Sequence, residues 1–175
     1  MLIQKQVFQK FRGSAPWLAI VFAMMLAGSP TAKAQGHIGV VFPLVTRAGG
    51  NTTNLADGFG MGIPMGMTIK KSGRTAFDLE LVPFIHGTPR NTTLTVHPGM
   101  LWDAGHRWTL GMRAAFDINS PSVGFTPLAH YSWPIEHGFF RAYFVEAVLP
   151  VRFNRPTGGP NTSPVTFGMH FGLGF

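Results

Sequence analysis

The chain contains no cysteine among its 175 residues, which excludes disulfide bridges and thiolate metal sites. Charge is also scarce, since charged residues make up 12% of the chain and hydrophobic residues 45%. A soluble domain usually carries about 25% charged residues, so this composition covers a water-exposed surface poorly. A surface that faces lipid would account for the imbalance.

Long hydrophobic runs are few. The apolar run from Ala15 to Gly28 is shorter than the about 20 residues that a membrane-spanning helix needs. Basic residues precede this run and the small-residue sequence Ala32-Lys33-Ala34 follows it, which is the pattern of a cleaved secretory signal peptide. The sequence therefore predicts a signal-peptide helix over residues 1–34 and one domain over residues 35–175.

The positive charge of the chain belongs largely to this leader. Residues 1–34 contain four basic residues and no acidic one, so their removal lowers the formal charge from +7 to +3. The remaining basic residues are not clustered among aromatic ones, as nucleic-acid binding would require, and we expect no nucleic-acid partner. The seven histidines are not spaced as neighbouring ligands on one element, so we also expect no metal and no cofactor.

The rest of the chain alternates large apolar residues with small or polar ones. A period of two is typical of β-strands with two different faces, and the clearest example runs from Val165 to Phe175. The pattern predicts eight strands, over residues 36–45, 57–70, 75–87, 92–102, 106–118, 122–133, 138–153 and 164–175.

The second face of these strands carries glycine, threonine and isolated charges, which is typical of the interior of a narrow barrel. Short turns are expected near residues 72–73, 103–105 and 134–137, and longer or more irregular links near 46–56, 88–91, 119–121 and 154–163. Outer-membrane barrels have this asymmetry. Four aromatic residues adjoin the short turns, where an interfacial belt would lie: Trp102, Trp108, Tyr131 and Trp133. The fold class is therefore all-β, an eight-stranded antiparallel up-and-down transmembrane β-barrel.

The last strand, which ends on Phe175, resembles the C-terminal signature of small bacterial outer-membrane β-barrel proteins. In that class the final strand and its terminal aromatic residue are read by the barrel-assembly machinery. The resemblance implies that Phe175 is an assembly signal, that the protein lies in the outer membrane of a Gram-negative cell, and that lipid surrounds it.

The inward positions of the predicted strands carry ionisable residues, and buried charges are tolerated only when they are paired or hydrated. We therefore predict a connected polar network inside the barrel. A turn near Gly158 would place Glu146 opposite His170, and a similar estimate places Glu80 near His97. The network comprises Asp78, Glu80, His97, Arg113, Glu146, Arg152 and His170, with Asp117 and His130 on the same faces. His37, His106 and His137 are expected at a solvated rim.

Three function hypotheses follow. Eight strands enclose a space just wide enough for side chains, so the leading hypothesis is a non-enzymatic protein with a structural or surface-interaction role and a filled lumen. A narrow, porin-like channel or transporter is the alternative. In addition, His130-Tyr131-Ser132 resembles the His-x-Ser element of the lipid A 3-O-deacylase family, which implies a lipid A-modifying hydrolase that uses His130, Ser132 and Glu146 as a triad.

Overall fold

The computed structural model describes residues 33–70, 73–87, 90–118, 120–155 and 159–175. No helix in these ranges has the length and apolar content required to span a bilayer. The predicted signal peptide lies outside the described residues, except that Lys33 and Ala34 begin the first strand. The strands are β1 (Lys33–Ala48), β2 (Asn51–Asn54), β3 (Gly60–Gly62), β4 (Met65–Lys70), β5 (Thr75–His86), β6 (Asn91–Gly105), β7 (Trp108–Asp117), β8 (Ser122–Pro134), β9 (Ala142–Val148), β10 (Val151–Asn154) and β11 (Val165–Gly174).

Antiparallel pairing joins these segments into a closed barrel of eight strands. Segments β2, β3 and β4 together form the second barrel strand, and β9 and β10 form the seventh. Strand β1 pairs with β11, from His37 opposite Gly174 to Arg47 opposite Val165, and this pairing closes the sheet. The predicted closed antiparallel barrel is confirmed.

Prolines lie at two of the three divisions within barrel strands. Proline has no N–H to donate to the ladder, and Pro64 and Pro150 lie in the gaps between β3 and β4 and between β9 and β10. Their carbonyl groups still accept hydrogen bonds from neighbouring strands, Pro64 from Gly39 N and Pro150 from Thr166 N. The barrel wall therefore remains continuous at both positions.

The barrel has two rims. The terminus rim carries Lys33, Phe175 and the turn between β6 and β7. The loop rim, at the other end of the strands, carries the links β1–β2, β5–β6, β7–β8 and β10–β11. The β6–β7 turn lies at His106 and Arg107, both with positive φ, rather than at 103–105. Within the link near 46–56, expected to be longer or more irregular, residues 49–50 form a tight hairpin turn, because Gly49 and Gly50 adopt positive φ and allow β1 to pair directly with β2.

Strand alternation separates the two faces of the wall. In β7, Arg113 and Ala115 are buried in the lumen, whereas Leu110 and Met112 point outward and expose about half of their surface. The other strands repeat this arrangement, so that most exposed large apolar residues lie on the outer face. The barrel is therefore apolar outside and polar inside.

Candidate functional site

A group of buried charges fills the middle of the lumen. Arg113 on β7 donates from Nε to Asp78 Oδ2 (2.7 Å) and from Nη1 to Glu146 Oε1 (2.8 Å) and Glu80 Oε1 (3.4 Å). All four side chains are at most 4% exposed. We call Asp78, Glu80, Arg113 and Glu146 the ionic plug. Three carboxylates face one guanidinium, which leaves an excess of two negative charges when the surrounding histidines are neutral.

Each glutamate of the plug lies between two histidines. The Glu80 carboxylate is 3.3 Å from His37 Nε2 and 3.4 Å from His97 Nδ1. The Glu146 carboxylate is 3.4 Å from both His130 Nδ1 and His170 Nδ1. An ionised carboxylate can only accept hydrogen bonds, so these ring nitrogens are the donors. The imidazoles thereby share with Arg113 the stabilisation of the buried negative charge.

The strand register produces this arrangement. Glu146 on β9 lies directly opposite His130 on β8 and opposite His170 on β11, and Glu80 on β5 lies opposite His97 on β6. Cross-strand neighbours on one face are close enough to interact directly. Both pairs estimated from the sequence, Glu146 with His170 and Glu80 with His97, occur in the structure.

Glycines on the lumen face make room for the large plug side chains. A Cβ at Gly99 would lie 2.6 Å from Arg113 Cγ, and a Cβ at Gly66 would lie 2.6 Å from His37 Nε2. His170 is accommodated in the same way by Gly39. Glycine inside a strand often marks such a close approach, and here it allows a narrow barrel to hold several long polar side chains.

Arg152 extends the network towards the loop rim. Its Nη2 is 2.9 Å from His97 Nε2, and a guanidinium only donates hydrogen bonds. His97 Nε2 is therefore the acceptor, and the ring proton on Nδ1 is donated to Glu80. Arg152 Nη1 donates to Thr126 Oγ1 at 3.2 Å. Asp117, the remaining acidic residue of the lumen, accepts from Thr95 Oγ1 at 2.6 Å.

The plug lies between two cavities. A cavity of about 520 Å³ on the side of the loop rim contacts Glu80, Arg113 and Glu146. A smaller cavity of about 200 Å³ on the side of the terminus rim contacts Arg113 and Glu146 from the other side, together with His130. We call them the loop-rim cavity and the terminus-rim cavity. The lumen therefore has two separate recesses rather than one continuous space.

The donor atoms of the plug could suggest a metal centre. Glu80, Glu146 and His170 each offer one ligand atom, and these atoms lie within 4.8 Å of one another. However, Arg113 Nη1 already donates to the Oε1 atoms of both glutamates. The guanidinium supplies the positive charge that a metal ion would bring, so the arrangement fits a structural ion network better than a metal site.

One histidine was placed wrongly by the sequence analysis. His37 was expected at a solvated rim, but it lies in the lumen and its side chain is 11% exposed, in contact with Glu80. Its position depends on the pairing of β1 with β4, which sets His37 opposite Gly66. The sequence signal for a lumen position was that His37 lies on the same strand face as Gly39 and Val41. His106 and His137 are exposed at the terminus rim.

The possible hydrolytic triad is only partly assembled. His130 Nδ1 is 3.4 Å from Glu146 Oε2, which is the orientation that a triad requires. Within the described part of the chain, however, the Ser132 hydroxyl forms no hydrogen bond with His130. The His130 ring instead stacks on Phe144, with 4.6 Å between the ring centroids, and Glu146 is already bound by Arg113. Ser132 therefore has no base positioned to activate it.

Comparison with known proteins adds no functional assignment: no protein-family model, no curated protein and no solved structure matches the chain.

Proposed function

We propose that this protein is a bacterial outer-membrane β-barrel with a closed lumen and a structural or surface-interaction role. The observation that carries the proposal is the placement of charge. Six charged residues of the described chain point into the lumen, and the others lie at or beside a rim, so the middle of the outer face carries none. The lumen set is Asp78, Glu80, Arg113, Asp117, Glu146 and Arg152.

Aromatic residues at the terminus rim support a membrane boundary there. The outward rings of Trp108, Tyr131, Trp133 and Tyr143 form a continuous row across β7, β8 and β9, with centroid separations of 4.6 to 5.0 Å. Trp102 on β6 is beside this row and is 63% exposed. Tryptophan and tyrosine are enriched where a barrel meets the lipid–water interface.

The height of the barrel fits a bilayer. Strand β7 has ten residues, which at about 3.3 Å per residue and a tilt of about 40° gives a height of about 25 Å, the height of the apolar band in outer-membrane barrels. Closure of the sheet also satisfies the backbone polar groups of the wall, as a lipid environment requires.

The C-terminus supports recognition by the barrel-assembly machinery. Phe175 is on the outer face and stacks on Phe139, with 5.3 Å between the centroids. Its backbone N and O atoms both pair with Gly36 at 2.9 Å, so the last residue belongs to the seam that closes the barrel. With the predicted leader peptide, this arrangement favours export followed by assembly in the outer membrane.

The ionic plug favours a closed lumen over a channel. The plug side chains lie between the two cavities, and Arg113 binds carboxylates from β5 and from β9, on different sides of the lumen. Moving this group aside would expose three buried carboxylates or break their ion pairs, which is costly. We therefore propose that the protein does not conduct ions in its resting state.

Reconstitution tests both parts of the proposal. Residues 35–175, refolded in liposomes, should migrate differently on a gel with and without boiling and should resist protease in the barrel region. A soluble, detergent-independent monomer would contradict the membrane location. In planar bilayers the wild type should give no stable conductance steps, whereas the double variant R113A/E146A, which shortens the plug without changing the net charge, should give them. Stable steps from the wild type would contradict the closed lumen.

A further inference from the structure

We propose that the loop-rim cavity is a binding site for a small organic monoanion, a carboxylate attached to a compact apolar group. The proposal goes beyond a closed structural barrel. It depends on the shape and chemistry of the lumen and not on the location of the protein in a membrane.

Arg152 provides the positive charge of this site. It lines the loop-rim cavity and forms no ion pair within 4.0 Å with a carboxylate among the described residues, although Asp117 in the same cavity is near enough to act on it electrostatically. Its acceptors are all neutral: Thr126 Oγ1, the carbonyls of Phe125 and Val151, and His97 Nε2. No hydrogen bond in the described chain uses Nε. A guanidinium edge that includes a free N–H is suited to a carboxylate, which it can bind with two parallel hydrogen bonds.

A second polar group near Arg152 is without a partner. Ser122 is 4% exposed, lines the same cavity, and its Oγ has no hydrogen-bond partner among the described residues. It lies on β8 opposite Asn154, and Arg152 lies opposite Gly124 on the same pair of strands. A buried hydroxyl without a partner is costly. Ser122 therefore offers a ligand in this cavity a hydrogen-bond donor in addition to Arg152.

Part of the remaining cavity wall is apolar. It carries Val41 and Pro43 on β1, Val82 and Phe84 on β5, and Val148 with Pro150 on the seventh barrel strand. The cavity volume of about 520 Å³ falls within the roughly 300–1,000 Å³ typical of small-molecule sites. The site therefore combines the cationic side chain of Arg152 with apolar stretches of wall, which suits a small amphipathic anion.

The charges around the cavity disfavour a dianion more than a monoanion. The ionic plug below has two more negative than positive charges when the neighbouring histidines are neutral, and Asp117 also lines the cavity. A phosphate dianion would be repelled by these groups more strongly than a carboxylate monoanion. The apolar walls would also leave a bare inorganic anion without contacts on most of its surface.

The test uses fluorine NMR of two probes of nearly the same shape, 4-fluorobenzoate and the uncharged 4-fluorobenzamide. Each is titrated into residues 35–175 folded in a zwitterionic detergent, with empty micelles as the blank. The wild type should bind the benzoate at least about tenfold more tightly, because a hydrogen-bonded charge contributes about this factor or more. Equal binding of both probes, or no binding of the benzoate at millimolar concentration, would overturn the proposal whatever the variants do.

Two arginine variants then test whether Arg152 is the charge that the benzoate recognises. R152Q should lose the preference for the benzoate, whereas R155Q, which removes an exposed arginine from the rim of the same barrel, should keep it. S122A should weaken benzoate binding several-fold with little effect on the amide. Heat-modifiability on gels verifies that each variant is folded. A full preference for benzoate in folded R152Q would rule out this site, and the membrane location would be unaffected by that result.

Discussion

Replacing Arg113 with methionine should lower the free energy of unfolding more than any other single change in the lumen. The guanidinium forms short hydrogen bonds to Asp78 (2.7 Å) and Glu146 (2.8 Å), and its partners are at most 3% exposed. Methionine replaces the unbranched stem of arginine but not its charged end, so it would leave three carboxylates buried without their cation. Breaking a buried ion pair in this way costs about 3–5 kcal/mol, a large part of a typical stability of about 5–15 kcal/mol.

The assay is urea unfolding of the barrel refolded in liposomes, followed by tryptophan fluorescence. R155M is the matched control, because Arg155 is exposed at the loop rim and its loss should change stability by less than about 0.5 kcal/mol. Adding Asp78→Asn, Glu80→Gln and Glu146→Gln to R113M should recover much of the loss, since no uncompensated charge then remains. If R113M unfolds within about 1 kcal/mol of the wild type, the plug does not have the energetic role argued above.

Three further outcomes are expected. Met112→Arg, at the middle of the outer face, should destabilise the liposome-inserted barrel by about 2–4 kcal/mol, whereas Trp102→Arg at the terminus rim should cost about 0–1 kcal/mol. Equal losses of stability in urea titrations would argue against a bilayer around β7. Gly99→Ala should lower the free energy of unfolding by about 1–3 kcal/mol, because the added methyl group crowds the plug. Gly58→Ala should not, since no atom lies within 4 Å of the added Cβ. Equal shifts of the urea midpoint in the two variants would refute this packing argument. Ser132→Ala should leave the lipid A mass spectrum of expressing cells unchanged from that with the wild type, and a difference would revive the hydrolase hypothesis.

Much of the barrel could be predicted because its signals are local. Alternation with a period of two identified the lumen face of each strand, and an assumed turn position was enough to estimate the register of Glu146 and His170. The position of His37 was different, because it depends on how the first barrel strand pairs with β4 and β11 when the sheet closes. The bulge between Pro43 and Val45 also shifts the alternation in β1, which no periodic pattern reveals.

The hydrogen-bond partners of Arg113 were harder to predict from the sequence. The sequence places Arg113 on an inward face, but its hydrogen bonds reach Asp78, Glu80 and Glu146, which are 33 to 35 positions away. Cross-strand pairing alone sets Arg113 opposite Gly99 and Thr126, neither of them acidic. Only the curvature of a narrow barrel brings the carboxylates of β5 and β9 within reach of one side chain on β7.

The ionic plug separates the loop-rim cavity from the terminus-rim cavity. A ligand that enters the loop-rim cavity meets Arg113, Glu80 and Glu146 at its base, and these groups are held to one another by ion pairs and by four histidines. Passage to the terminus-rim cavity would require these pairs to separate in a buried environment, at the cost estimated above for the loss of Arg113. Binding at Arg152 does not require that step, because its guanidinium is on the loop-rim side of the plug, beyond His97. If the plug closes the lumen as proposed, the loop-rim cavity is a recess rather than a passage, suited to retain a ligand rather than to transport it.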